Sequence, residues 1–341
     1  MKYTHSPRTH KMLTLGSVSA LALTLAACGG GAKATDDGEE SADGAASTSI
    51  AMLSVEAEGS PWADLAWSAL EDVRDDRGVE INRVAGVDSA AVEQQVRAMA
   101  AAGNNPVVVM QDELGDAAVR LAPSFPDTNF IVVDSFIESN EPNVQTVVID
   151  PSQAAYVAGV VAASVSESKT LGFVGGADVP NIQKYLCGFE EGVGATDSAV
   201  KIEVAYTGNF DNPTSGREVA MTQINAGADV VMHAAALTGL GVITAAEESG
   251  VSAVGVDVWQ GDAASDDTVA WNALKDGHGA VLSTVEAALD GEFAAGQLVW
   301  DPTKGAALYD DRDFDRLPAE LQEHVTNVAE QLANGQIAPS C

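Results

Sequence analysis

The residues with chemistry to offer are few and far apart. Trp62 follows Glu58-Gly-Ser-Pro61, and a proline there suits the first turn of a helix. Phe210 sits among turn formers in Gly208-Asn-Phe-Asp-Asn-Pro213, so it belongs to a loop rather than to a strand or helix face. Asp257 closes the apolar run Ser252-Ala-Val-Gly-Val-Asp257, which puts a carboxylate at a strand end, where two oxygens can accept from two hydroxyls. Asp112 follows Val107-Val-Val-Met-Gln111 and suits a helix N-cap. Lys275, in Trp271-Asn-Ala-Leu-Lys275, is a long-stemmed cation at a helix start, and His233 closes Val230-Val-Met-His233, a place for a hydrogen-bonded core histidine.

Groups for catalysis are thin. No GxSxG, HExxH or GxxxxGK[ST] occurs, and beyond residue 30 the histidines are His233, His278 and His324. With 50 Asp and Glu in the chain, a pair of carboxylates is no signal. Residues 50–60 hold only Glu56 and Glu58, so no clustered aspartate metal site stands near the first strand. The three cysteines show no CxxC or Cys/His ligand spacing. No enzyme, cofactor or metal is expected. Cys187 and Cys341 either pair or stay as two free thiols.

These residues are carried by an alternation of short apolar runs and longer segments of helical period, the pattern of parallel α/β architecture. Strands are expected at 50–54, 79–84, 107–110, 130–134, 144–149, 171–174, 200–206, 230–233 and 253–257. Helices are expected at 62–76, 90–102, 153–166, 216–226, 239–249, 280–289 and 318–332. The runs lack clean alternation, as in sheets covered on both faces. So many units exceed one comfortable sheet and argue for two lobes. The chain is expected to cross between them near Asp150-Pro151, Gly255–Trp259 and Gly296–Gly305. One lobe then comprises 49–150 and 257–293, with a C-terminal helix at 318–335; the other comprises 151–256 and 294–312.

The net charge of −33, from 17 Lys and Arg against 50 Asp and Glu, repels phosphate backbones and excludes nucleic acid as a partner. The first residues are the exception, with Lys2, Arg8 and Lys11 and no acid before Asp36. An apolar run follows, Met12–Ala27, shorter than the roughly twenty residues of a spanning helix. It ends in Leu25-Ala-Ala-Cys28-Gly29, which resembles a bacterial lipobox, with Cys28 as the acylated residue; an ordinary secretory signal is the alternative. Removing residues 1–27 deletes three positive charges and no negative one, so −33 becomes −36. Headgroup electrostatics then cannot hold the chain at a membrane, whereas two acyl chains can. Residues 28–48, small, polar and acidic, read as a flexible tether.

Four segments, in order, resemble one family: Leu171-Gly-Phe-Val-Gly-Gly176, Ala205-Tyr-Thr-Gly-Asn-Phe-Asp-Asn-Pro213, Gly227-Ala-Asp-Val-Val-Met-His-Ala-Ala235 and Gly255-Val-Asp257. They are similar to the basic membrane protein (BMP/Med/PnrA-like) lipoproteins, over about residues 50–339. The resemblance implies the type I periplasmic-binding-protein fold, two Rossmann-like lobes with a hinge and a ligand cleft between them. It implies a lipid-anchored substrate-binding protein at the extracytoplasmic face of the cell membrane. Such a protein acts as a monomer that delivers a purine nucleoside, or a related nucleobase, to an ABC permease and its ATPase. A receptor that senses a sugar or free base without transport is the alternative.

Residue by residue, the resemblance implies that Trp62 and Phe210 stack on the two faces of the base. It implies that Asp112 accepts from the base edge, that Asp257 takes the ribose hydroxyls, and that Lys275 reaches the sugar. By position alone, Trp62 also suits a hydrophobic staple and Phe210 a plug over its own lobe. The pattern departs at Ala63, where the nucleoside receptors have Asn, and at Trp259, where an acid is common.

Overall fold

The computed structural model describes residues 48–265 and 267–341. The expected leader, Cys28 and all of the expected tether but Thr48 lie outside these residues. No helix among the described residues is long and apolar enough to cross a membrane.

The first lobe opens with β1 (Ser49–Leu53), α1 (Pro61–Arg77), β2 (Glu80–Val84), α2 (Val92–Ala101) and β3 (Val107–Met110). Next come α3 (Gln111–Leu121), β4 (Phe130–Val133) and β5 (Val144–Ile149). The chain then crosses at Asp150-Pro151. In the second lobe follow α4 (Ser152–Val165), β6 (Thr170–Gly175), α5 (Pro180–Thr196), β7 (Lys201–Tyr206) and α6 (Pro213–Asn225). They are succeeded by β8 (Val230–Ala234), α7 (Thr238–Ser249), β9 (Ser252–Asp257) and β10 (Val269–Leu274). The chain returns to the first lobe for α8 (Gly277–Leu289) and β11 (Gly296–Trp300), and ends on the second with α9 (Asp311–Phe314) and α10 (Ala319–Ala333).

The sheets are ordered β11-β5-β4-β3-β1-β2 and β10-β9-β8-β6-β7, with every pair parallel. Both are covered on two faces. In the first lobe α1 and α8 pack one face around Ile50, Met52, Val108 and Ile131, and α2 and α3 pack the other around Leu53, Val107 and Val109. In the second lobe α4 and α5 cover Phe173, Met232 and Val254, while α6 and α7 cover Val174, Val231 and Ala253. This double burial is why the central strands read as continuous apolar runs.

The segments after Asp257 correct the lobe assignment expected from sequence. Residues 257–293 do not go to the first lobe as a block: Val269–Leu274 adds to the open edge of β9, and only α8 packs on α1. Residues 294–312 do not go to the second lobe as a block either, because Gly296–Trp300 adds to the edge of β5. The C-terminal helix packs against α4 of the second lobe through Val325, Val328 and Leu332, not against the first. The second crossover accordingly lies at Lys275-Asp276, after β10, rather than at Gly255–Trp259. A parallel strand joins whichever sheet edge lies open to it, and its own residues do not name that edge.

Neither β10 nor β11 was expected as a strand. Asn272 interrupts the apolar run of β10, yet it is fully buried because its Nδ2 donates to Asp313 Oδ2 at 2.8 Å. In β11, Gly296-Gln-Leu-Val-Trp300 is half exposed along a sheet edge.

Candidate functional site

In open parallel sheets, ligands sit beyond the carboxyl ends of the strands. Here those ends face a cavity of about 370 Å³ lined by both lobes. The first lobe supplies Glu56, Trp62, Gln111 and Asp134, and the second supplies Tyr185, Phe210, His233, Asp257 and Gln260. Lys275 enters from the crossover after β10. Gln111, Asp134, Ala236 and Asp257 line this space and have positive φ, between +47° and +68°. Non-glycine residues adopt that conformation at a cost of roughly 1–3 kcal/mol. At a strand end it turns the chain sharply out of the sheet. Strain of this kind gathered around one cavity marks a built site.

The two aromatic residues expected to stack both line the cavity, one from each lobe. Trp62 is the second residue of α1, after the cap Ser60 and Pro61, so it is not at the staple position before the cap. Its indole is 8% exposed and lies against Gly277, where a Cβ would approach Cη2 to 2.7 Å. Lys275 Nζ stands 4.8 Å from its ring centroid. Phe210 is 39% exposed, and its ring rests on Gly176, the last residue of the Leu171–Gly176 motif. Each ring is therefore seated on a residue that has to lack a side chain.

Lys275 is nearly buried, and its Nζ pairs with Asp134 Oδ1 at 2.6 Å. Burial pushes the Asp134 carboxyl above its usual range, and the Lys275 ammonium opposes that shift. Asp257 instead receives the Tyr185 hydroxyl on Oδ1 at 2.5 Å, and its backbone carbonyl accepts from Lys275 N at 3.0 Å. Burial, together with Asp257, pushes the Tyr185 phenol well above its ordinary value, so it stays a donor. Oδ2 of Asp257 is left with no protein donor among the described residues.

Asp112 is a correction. It is exposed, accepts from Ser135 Oγ at 2.5 Å, and does not line the cavity. Nor is it an N-cap, because α3 begins one residue earlier at Gln111. The left-handed turn at Gln111 brings that residue, not its neighbour, to the cavity wall, where its Nε2 donates to Glu56 Oε1 at 2.8 Å. His233 is fully buried, with Nε2 2.8 Å from Gln260 Oε1, and burial lowers its pKa to about 4. It is a hydrogen-bonded core histidine that also lines the cavity.

Sequence reasoning did not single out Gln111, Asp134, Tyr185 or Gln260. Asp134 carried the same signal as Asp257, an acid directly after an apolar run. Tyr185 carried none, since nothing local marks the inward face of α5.

A profile of the family described as ABC transporter substrate-binding protein PnrA-like matches residues 48–337. The chain belongs to this family. Basic membrane protein A2 of Borrelia garinii is 27% identical over 242 residues, 69% of this chain and 71% of that protein. The protein named ABC transporter nucleoside-binding protein BmpA, from Lactococcus lactis, is 27% identical over 240 residues, 66% and 68% of the two chains. A solute-binding protein of an Aeropyrum pernix ABC transporter superposes with a TM-score of 0.73 at 20% identity, over 85% of this chain and 92% of that one. Two parallel-sheet lobes and this likeness establish the periplasmic-binding-protein fold. As a member of the PnrA-like family, the chain is a substrate-binding protein of an ABC transporter.

Beside this cavity, α5 is fastened to the end of the chain. Cys187 and Cys341 form a disulfide, with Cα atoms 5.8 Å apart, which settles the pairing left open by sequence. One turn away on α5, Lys184 pairs with Asp150 at the first crossover. That bond and the hydrogen bond from the Ser152 backbone hold the Asp150 carboxyl below its usual range despite partial burial.

Proposed function

We propose that this protein captures a purine nucleoside between its lobes and delivers it to an ABC permease and ATPase from the extracytoplasmic face of the membrane. In this reading it is anchored there by lipid on Cys28. The observation that carries the reading is that Trp62 and Phe210, from opposite lobes, line one cavity with Asp257 and Lys275. A flat base needs two ring faces, each worth roughly 1–3 kcal/mol. A pentose needs acceptors and a donor, and Asp257 Oδ2 has no protein donor among the described residues. The name of the lactococcal relative points to the same ligand class.

The acceptors expected from Asp112 fall instead to Asp134 and Glu56, which share the cavity wall with Trp62. Glu56, Asp134 and Asp257 outnumber Lys275, so a phosphorylated nucleoside meets net repulsion and a neutral one does not. Ligand closes the lobes only through contacts that it makes better in the closed arrangement. Two stacked faces and charged hydrogen bonds of roughly 1.5–3 kcal/mol each support micromolar or tighter binding after ordering losses.

The test is a thermal-unfolding panel of nucleosides, nucleotides, bases, sugars and amino acids on the full chain in detergent. Purine nucleosides at a hundred times their dissociation constant should add roughly 2.7 kcal/mol of stability, and their 5′-phosphates far less. A panel in which only a sugar or an amino acid raises the midpoint would refute the proposal.

A further inference from the structure

We propose that Gln260 is a ligand-binding residue, its side-chain nitrogen donating to the pentose hydroxyl oxygen whose proton Asp257 accepts, and that His233 is the positioning residue that sets the direction of this donor. The proposal rests on the nucleoside reading of the cavity. Gln260 stands three residues beyond Asp257 and lines the cavity with it. Its Oε1 lies 3.2 Å from Val256 N and 2.8 Å from His233 Nε2.

A backbone N–H only donates, so the Gln260 atom facing Val256 is the amide oxygen. That oxygen cannot donate to the imidazole, so His233 Nε2 carries the proton and Nδ1 is bare. His233 is fully buried and neutral above a pKa of about 4, and this tautomer therefore persists at neutral pH.

The rest of the residue is also held. Gln260 N donates to Asn272 Oδ1 at 3.1 Å, and Asn272 is tied in turn to Asp313. Gly255 makes room for this arrangement, because a Cβ there would run into both Gln260 Oε1 and Asn272 Oδ1.

With Oε1 engaged twice, the two hydrogens of Nε2 are the free end of the side chain. Nε2 makes no hydrogen bond among the described residues, and it is not sealed off as His233 Nδ1 and Trp62 Nε1 are. A hydroxyl is both donor and acceptor. Asp257 supplies only acceptors, so a hydroxyl held there leaves its oxygen in need of a donor, and Gln260 offers one from the same strand end. A site that reads both sides of a hydroxyl rejects an analogue without it, because donor and acceptor are then both left unpaired.

Calorimetry on the full chain tests this with adenosine and its 2′-, 3′- and 5′-deoxy analogues. Gln260→Glu keeps both incoming hydrogen bonds and loses the donors; Gln260→Met removes all of them and guards against an effect of added charge. Each should weaken adenosine about tenfold, while one deoxy analogue binds wild type and both variants alike. His233→Phe should weaken adenosine in the wild-type background but add nothing to Gln260→Met, and long-range 1H–15N spectra should show His233 protonated on Nε2 alone. Variants that bind adenosine within twofold of wild type, or that weaken all four ligands equally, would overturn the role of Gln260 and leave the nucleoside reading intact. Wild type that binds none of the four while another solute raises the unfolding midpoint would refute the nucleoside reading and this proposal with it.

Discussion

Gly176→Ala separates the proposed binding role of Phe210 from its packing. Gly176 has no positive φ, so alanine takes the same backbone without strain. Its Cβ, however, collides with three atoms of the Phe210 ring, the farthest of them, Cζ, at 2.9 Å. The ring is 39% exposed on a loop and can swing into solvent, so the collision is relieved by moving it. Stability should change by less than about 1 kcal/mol, helped by the reduced entropy of the unfolded chain. Affinity should fall by the stacking contribution, roughly 1–3 kcal/mol, or about 5- to 150-fold. The other ring provides the contrast. Trp62 is packed at 8% exposure, so Gly277→Ala cannot be relieved the same way and should cost roughly 1–3 kcal/mol of stability. Isothermal calorimetry with the best nucleoside, paired with urea unfolding, measures both quantities. Gly176→Ala added to Phe210→Ala should weaken binding no further, since both remove the same stack. Additive losses in that double variant, or wild-type affinity in Gly176→Ala, would refute the argument.

The folded-state pKa of His233 is about 4 against 6.5 for the free side chain, so the native state binds fewer protons. Its contribution is full above pH 6.5 and is lost as pH falls toward 4, by roughly 3 kcal/mol in all. Urea titrations between pH 7 and 4.5 should show the stability gap between wild type and His233→Gln narrowing by that order, whereas parallel curves would contradict the burial argument. The Cys187–Cys341 bond spans 154 residues, and chain entropy sets its stabilisation at up to roughly 5 kcal/mol. Cys341→Ser and reductant should lower the urea midpoint equally, and a wild-type midpoint unmoved by reductant would show the bond to be absent or energetically idle.

Much of this protein was legible along the chain, because the signals involved are local. Short apolar runs that end in Asp257 or His233 mark strand ends, and Pro61 marks the start of α1. The run of turn formers around Phe210 identifies it as a loop aromatic, and a net charge of −33 repels phosphate backbones. Tertiary structure decided what depends on distant partners. Which sheet β10 and β11 join was set by open edges at β9 and β5. Asn272 is a strand residue only because Asp313 satisfies it. Lys275 belongs to Asp134, and Asp257 to Tyr185, because folding brings strand ends of both lobes and the inward face of α5 to one cavity. Gly176 and Gly277 read as ordinary glycines until a phenyl and an indole are laid against them. Periodicity and termination are properties of neighbours in sequence, whereas pairing, burial and the direction of a donor are properties of neighbours in space.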